Sequence, residues 1–208
     1  MKDMSRRRLT REETREQTRQ RLIESARQQV AARGFNAASM RDIAEAAGYS
    51  QGAFYSNFES KEALLLEVLK LHKLEESERV ASIIDTAGDN LKAALEGLNA
   101  WAEKLSESPE HALVSAELQL HAVRNPGFGK AYWAIMAEQR ALYAQLAKRL
   151  FDLSKTPPPV ALEDLASGLM ALERSVTLDR AISPGGGILS MVPVLLRALL
   201  DNQESSRT

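Results

Sequence analysis

Between Ser39 and Phe58 the sequence reads SMRDIAEAAGYSQGAFYSNF, and these twenty residues constrain the fold more than any others. Met40, Ile43, Ala44 and Ala47 recur at helical spacing behind Ser39, a good N-cap. Gly48 stops that run after about two turns, and Tyr49 fills the turn. Ser50 then caps a second, very short helix, predicted over Gln51 to Phe58. Phe54 and Phe58 are four residues apart, so they share one face and anchor the short helix to a core.

Two short capped helices joined by a three-residue turn with a glycine form a helix-turn-helix. Its second helix has to enter a groove about 12 Å wide, so its exposed residues must be small or polar. Gln51, Gly52, Ala53, Ser56 and Asn57 meet that demand. Gln and Asn can pair with adenine edges, and Ala can touch a thymine methyl. Tyr55 falls on a different face, where a phenol can donate to a phosphate; the bland alternative is a half-buried core residue.

The rest of the chain is read as helix. Strand-like runs of Val, Ile and Thr are missing, so the expected fold class is all-α, with about nine helices. A first helix starts near Thr10–Thr14 and carries Leu22, Ile23, Ala26 and Val30 before Gly34. Ser60 caps a fourth, with Leu64, Leu65, Val68, Leu69 and Leu71 along its apolar face. Longer helices are predicted over 90–105, 109–124, 126–153 and 159–182, with a last one after Ile188 that Pro193 pushes later. KTPPP (155–159) and SPGGG (183–187) are hard breaks. This divides into a three-helix head over 1–62, with a basic arm over 1–13, and a larger helical bundle over 63–208.

Charge follows the same division. Residues 1–61 hold twelve Lys/Arg against eight Asp/Glu, and residues 62–208 hold fifteen against twenty. A basic first part on a mildly acidic body suggests that only the head meets a polyanion. The chain has no Cys, which excludes disulfides and thiolate metal sites. No apolar run approaches the roughly 18 residues of a membrane span, and no apolar segment follows the charged N-terminus. The expectation is a cytoplasmic protein without membrane partner.

Residues 35–69, FNAASMRDIAEAAGYSQGAFYSNFESKEALLLEVL, closely resemble the DNA-binding region of the TetR (tetracycline repressor) family. The matching marks are Gly34-Phe35, Ser39, Ile43-Ala44, Ala47-Gly48, Ser50, Gly52, Phe54-Tyr55, Phe58, Lys61 and Leu64, and the match covers roughly residues 19–70. The resemblance implies a ligand-responsive transcriptional regulator, a repressor that binds a palindromic operator on double-stranded DNA as a homodimer and is released by a small-molecule effector. It implies that Ser39 and Arg41 touch phosphate or a base edge, that Gln51, Ala53, Ser56 and Asn57 face the groove, and that Tyr55 and Lys61 bind phosphate. Arg6, Arg7 and Arg8 of the arm have two readings, minor-groove contacts or a solvated tail.

The last two predicted helices carry heptad-like stripes: Leu162, Leu165, Leu169, Leu172 and Val176, then Ile188, Val192, Leu195 and Leu199. Such stripes bury themselves either against a second copy, as a symmetric four-helix interface, or inside the chain. A sensing pocket is implied among the helices of 90–182. Candidate lining residues are Trp101, Leu105, Glu117, His121, Trp133, Met136, Tyr143, Met170 and Arg174, with a core or surface role as the alternative for each. An aromatic and Met lining favours an apolar or amphipathic effector. His111, Glu117 and His121 do not fall on one face, so neither metal nor cofactor is expected. No nucleophile–base pair, Gly-rich phosphate loop or HExxH occurs, so no enzyme is expected.

Overall fold

The computed structural model describes residues 10–105, 109–183 and 191–201. Among these, nine helices and no strands occur: α1 (Arg11–Arg33), α2 (Met40–Ala46), α3 (Gln51–Tyr55), α4 (Lys61–Ala87), α5 (Leu91–Leu105), α6 (Pro109–Arg124), α7 (Pro126–Ser154), α8 (Leu162–Ile182) and α9 (Met191–Asp201). The chain is all-α. Residues 1–9 of the basic arm, Ile188 and the side chain of Leu105 lie outside the described residues, while residues 11–13 of the expected arm belong to α1 because Thr10 caps the helix there. No described helix is long and apolar enough to cross a membrane.

The chain falls into two compact units, one ending at Val68 and the other starting at Leu69. In the first, side-chain caps fix each helix start. Thr10 accepts from the Glu13 N–H at 3.1 Å while Glu13 reaches back to the Thr10 N–H at 2.7 Å. Ser39 and Asp42 form the same reciprocal box at α2, and the Ser39 hydrogen bonds hold the Asp42 carboxyl below the usual carboxylate range. Such boxes satisfy N–H groups that no helical turn can reach. The core of this unit is Leu22, Ala26 and Val30 of α1, Ile43 and Ala44 of α2, and Phe54 of α3, all shielded from solvent.

The α2–α3 turn rests on Gly48, whose φ of 81° lies where a side chain is strained. There its N–H bonds the Glu45 carbonyl at 3.0 Å and the Tyr49 N–H bonds that of Ala44 at 2.9 Å, closing α2. Helix α3 ends at Tyr55, three residues before the predicted end. The side-chain amide of Asn57 takes the Ala53 carbonyl at 2.8 Å, and the Asn57 N–H turns to Phe54 at 2.9 Å. A tightened last turn replaces further helix.

In the second unit α6, α7 and α8 pack pairwise, and α9 lies against α5, α7 and α8. Its core gathers Val80 and Ile84 of α4, Ala94, Leu95 and Leu98 of α5, Leu150 and Phe151 of α7, and Leu196 and Leu200 of α9. Helix α8 starts at Leu162 rather than Pro159. Pro193 sits in the first turn of α9, where its missing N–H costs nothing. At the α6–α7 turn, a Cβ on Gly129 would stand 2.7 Å from the Ala122 carbonyl oxygen, so only glycine allows this approach.

Candidate nucleic-acid interface and cavities

Helix α3 has two faces. Phe54 is fully buried and Phe58, just past the helix end, nearly so; their ring centroids are 6.1 Å apart. Burying such a ring contributes roughly 1.5–3 kcal/mol. The opposite face presents Gln51, Gly52, Tyr55 and Ser56, all exposed. These occupy positions one, two, five and six of a helical stretch, so they form one row. Tyr55 is 51% exposed and touches the fixed Phe54 ring edge-on, with centroids 5.8 Å apart. That contact sets the direction of a phenol whose hydroxyl is open to a partner.

The caps double as the edges of this row. The Ser50 hydroxyl accepts from the Ala53 N–H at 3.2 Å, and the Ser39 hydroxyl from the Asp42 N–H at 3.1 Å. Both hydroxyls therefore keep their own proton to donate. Ser56 donates back to the Gly52 carbonyl at 2.9 Å. Ala53 is half-buried. Arg41 is exposed and paired with Glu45 at 2.7 Å, an ion pair of little strength that a phosphate can exchange.

Two expected contacts are placed differently. Asn57 turns its amide onto its own helix, and its Oδ1 is shielded from solvent; it is not in the outward row. Lys61 points inward. Its ammonium donates to the carbonyls of Phe35 and Ala38 at 2.7 and 3.0 Å and lies 4.3 Å from the Phe35 ring centroid. Two of its three protons thus hold the start of α4 to the α1–α2 connection. A residue the sequence reading left out is Arg19, which packs 4.3 Å from the Phe58 centroid and pairs with Glu67 at 3.0 Å.

The second unit holds a polar cluster under its apolar core. Lys73, Glu76, Ser77 and Gln139 are each at most 7% exposed. Lys73 Nζ lies 2.7 Å from one Glu76 oxygen, His72 Nε2 lies 3.2 Å from the other, and Gln139 donates to Glu76 at 3.2 Å. Burial would raise the Glu76 carboxyl, but Lys73 and His72 outweigh it and hold the group at about 2. The His72 ring stacks on His111 with centroids 4.2 Å apart. Sequence reasoning missed this cluster. Its signal was available: Lys73 and Glu76 interrupt the stripe Leu65, Leu69, Val80, Ile84 at helical spacing.

Two cavities flank the cluster. The first, about 100 Å³, is walled by α4, α5, α7, α8 and α9 and is almost wholly apolar. Trp101, Tyr143 and Met170 of the predicted pocket line it, with Leu98, Leu150 and Val176. The second, about 260 Å³, is polar and is lined by His72, Lys73, Glu76, His111 and Arg174. Met136 and Trp133 line a further hollow of about 100 Å³ with Met170 and Arg174, and Trp133 is 62% exposed under the Arg140 guanidinium. Glu117 and His121 line none of these three. His121 instead meets Asn125 at 2.9 Å and the edge of Phe128, bracing the α6–α7 turn. No group of three or more His, Cys, Asp or Glu among the described residues is suited to a metal ion.

The leucine stripes serve the chain itself. Leu162, Leu165, Leu169, Val192 and Leu199 pack on the core of this unit, Leu172 is half-buried and Val176 is buried. Among the described residues of the predicted interface, only Leu195, 40% exposed, points outward. The outward faces carry Gly168, Ala171 and Ser175 on α8, and Met191, Val194 and Leu195 on α9. Helix α8 packs on three neighbours, so its large residues are used inside.

Residues 22–68 match the sequence model described as bacterial regulatory proteins, tetR family. The uncharacterised HTH-type transcriptional regulator YuxN of Bacillus subtilis is 40% identical over 73 residues, which span 35% of this chain and 25% of YuxN. The fatty acid degradation regulator FadR of Bacillus halodurans has a similar fold: TM-score 0.73, 18% identity, covering 89% of this chain and 96% of that one. The FadR regulator of Bacillus subtilis, in complex with stearoyl-CoA, gives a TM-score of 0.69 at 15% identity, over 88% and 95% of the two chains. By its helix-turn-helix and its sequence, the segment 22–68 of this chain belongs to the tetR family of bacterial regulatory proteins.

Proposed function

We propose that this protein is a ligand-responsive DNA-binding transcriptional regulator, a repressor that binds a palindromic operator as a homodimer. The observation that carries the reading is the two-faced α3: Phe54 seated in the core, Gln51, Gly52, Tyr55 and Ser56 exposed in one row. Such a row suits a major groove, with Gln51 on a base edge and Tyr55, Ser39, Ser50 and Arg41 on flanking phosphates. Ala53 and Ser56 supply small contacts beside Gln51. A head over residues 1–62 reads DNA and a body over 63–208 senses the effector and dimerises. Helix α4 starts in the first and runs into the second, so it is the element through which effector binding changes the set of the head.

The effector is amphipathic. The apolar cavity lined by Trp101, Tyr143 and Met170 supports an apolar part, and the polar cavity beside it supports a polar one. The stearoyl-CoA held by the Bacillus subtilis FadR is a molecule of that build.

The test is selection from random duplexes with the purified full chain. The expected product is an inverted repeat whose half-sites lie about one helical turn apart, bound with an affinity that falls steeply with salt. If selection enriches no repeat and no duplex is held at moderate salt, the reading fails.

A further inference from the structure

The hollow of about 100 Å³ beside Trp133 lies between α6, α7 and α8. Its floor is apolar and closed: Tyr132, Met136 and Met170 are each at most 7% exposed. At its rim Trp133 leaves 62% of its surface open, and the Arg140 guanidinium stands 5.5 Å from the centroid of that ring. An exposed indole beside a buried thioether floor is a surface that gains by being covered.

Charge distinguishes this hollow from its neighbours. Arg140 and Arg174 both line it, and no carboxylate does. The other two cavities hold both signs: Glu173 with Arg180 in the apolar one, and Glu76 and Glu173 with Lys73 and Arg174 in the polar one. Arg174 thus reaches two chambers. In the polar one the carboxylates have partners already: Lys73 and His72 hold Glu76 at 2.7 and 3.2 Å, and Glu173 accepts from the Thr177 hydroxyl at 2.9 Å. On the other side the charge of Arg174 is felt at Tyr132, on the floor of the hollow, where it opposes the upward pull of burial on the phenol pKa. Among the described residues neither Arg140 nor Arg174 forms an ion pair.

We propose that this hollow is a binding site for a small aromatic carboxylate, whose ring lies on Met136 and Met170 against Trp133 and whose carboxylate faces Arg140 and Arg174. Guanidinium forks bind a carboxylate through two parallel hydrogen bonds, and thioether sulfur favours an aromatic ring. An apolar cavity of about 150 Å³ encloses a benzene, so a hollow of about 100 Å³ that opens to solvent takes one ring and no long chain. The site is separate from the two cavities assigned to the effector and stands whether or not they hold one.

The experiment follows Trp133 fluorescence in the full chain carrying Trp101→Phe, since the chain has only these two tryptophans. The probes are benzoate, benzyl alcohol, benzylammonium and cyclohexanecarboxylate at neutral pH. Benzoate is expected to saturate the signal at a concentration at least about tenfold below that of benzyl alcohol, with benzylammonium weakest. Cyclohexanecarboxylate, which lacks a π face, binds at least about threefold more weakly than benzoate. Calorimetry on the wild-type chain is expected to give the same order without the substitution. Arg174→Gln and Arg140→Gln each weaken benzoate by about tenfold and leave benzyl alcohol unchanged, which reports an intact hollow. Arg140 lines neither of the other cavities, so its variant tells the sites apart. Benzoate that binds Arg140→Gln as it binds the wild type, or binds no better than benzyl alcohol, overturns the proposal. Equal binding of benzoate and cyclohexanecarboxylate overturns the aromatic class. Loss of benzoate binding at protein concentrations where the chain dimerises means that a second copy fills the hollow, and the proposal falls.

Discussion

The Lys61 ammonium donates to the Phe35 carbonyl at 2.7 Å and lies 4.3 Å from the centroid of the ring of that same residue. With the bond to Ala38 at 3.0 Å, one lysine closes the C-terminal end of α1 and the approach to α2 onto the start of α4. Burial pushes its pKa down, against the smaller opposite effect of Glu62. Lys61 is thus a strut of the head before it is a phosphate ligand. Lys61→Met is expected to cost about 1–2 kcal/mol, at the lower end for charged hydrogen bonds because the group is partly solvated. Tyr55→Phe, at an exposed position, leaves the melting temperature unchanged and weakens DNA binding alone. Thermal melts without DNA, set beside gel shifts, separate the two; a Lys61→Met variant that melts with the wild type contradicts the strut.

How far the sequence led can be judged at particular residues. The helix starts capped by Ser39, Ser50 and Ser60 were legible, because such caps act through bonds three residues away, whereas the Thr10 cap was located only within Thr10–Thr14. The burial of Phe54 and Phe58 was legible from their spacing. Lys61 was not: its carbonyl partners are 23 and 26 residues distant, and local pattern carries no such information. The same holds for Glu76, whose partner Gln139 is 63 residues away. The leucine stripes of α8 and α9 pointed to burial, which holds for the described members except Leu195, but periodicity does not say against what. Only the packing of α8 on α6, α7 and α9 answers that.

Glu76 and Lys73 form a buried pair at 2.7 Å, each 7% exposed. Removing one partner leaves the other charge buried, so Glu76→Gln is expected to destabilise by about 3–5 kcal/mol. Lys73→Met with Glu76→Leu removes both charges and costs less than either single change. The Glu76 pKa is held at about 2, below the unfolded value of 4.5. Its contribution is therefore complete above 4.5 and is lost as pH falls from there towards 2. Wild-type melts should show a loss of stability in that window that the double variant lacks. Equal slopes in the two proteins refute the assignment.

Glu173 has the opposite sign. Burial raises its pKa above 4.5, with Glu76 adding to the shift and Lys73 opposing it. A raised carboxylate contributes stability below the unfolded value and loses it as pH rises through the folded one. Glu173→Gln should therefore melt higher than the wild type at neutral pH, and the two should converge at pH values below 4.5. Melts across pH 4 to 8 test this; a Gln variant that melts lower at neutral pH means that Glu173 is already compensated.

The outward residues of α8 and α9 give the sharpest test of the dimer. Leu195 and Val194 are 40% and 47% exposed, and Gly168 has open space where a Cβ would stand. Within one chain, charges placed here meet only solvent, so Leu195→Glu and Ala171→Glu should leave the fold intact. In a symmetric interface each change appears twice, and like charges face each other across a buried surface. The expected result is a monomer by sedimentation, with unchanged helicity and loss of operator binding, since one head makes half the contacts. Leu169→Glu is the contrasting change. Leu169 packs on the core of its own unit, so this variant should unfold the body. Should Leu195→Glu with Ala171→Glu sediment as the wild type does, the second copy does not meet the chain on these faces.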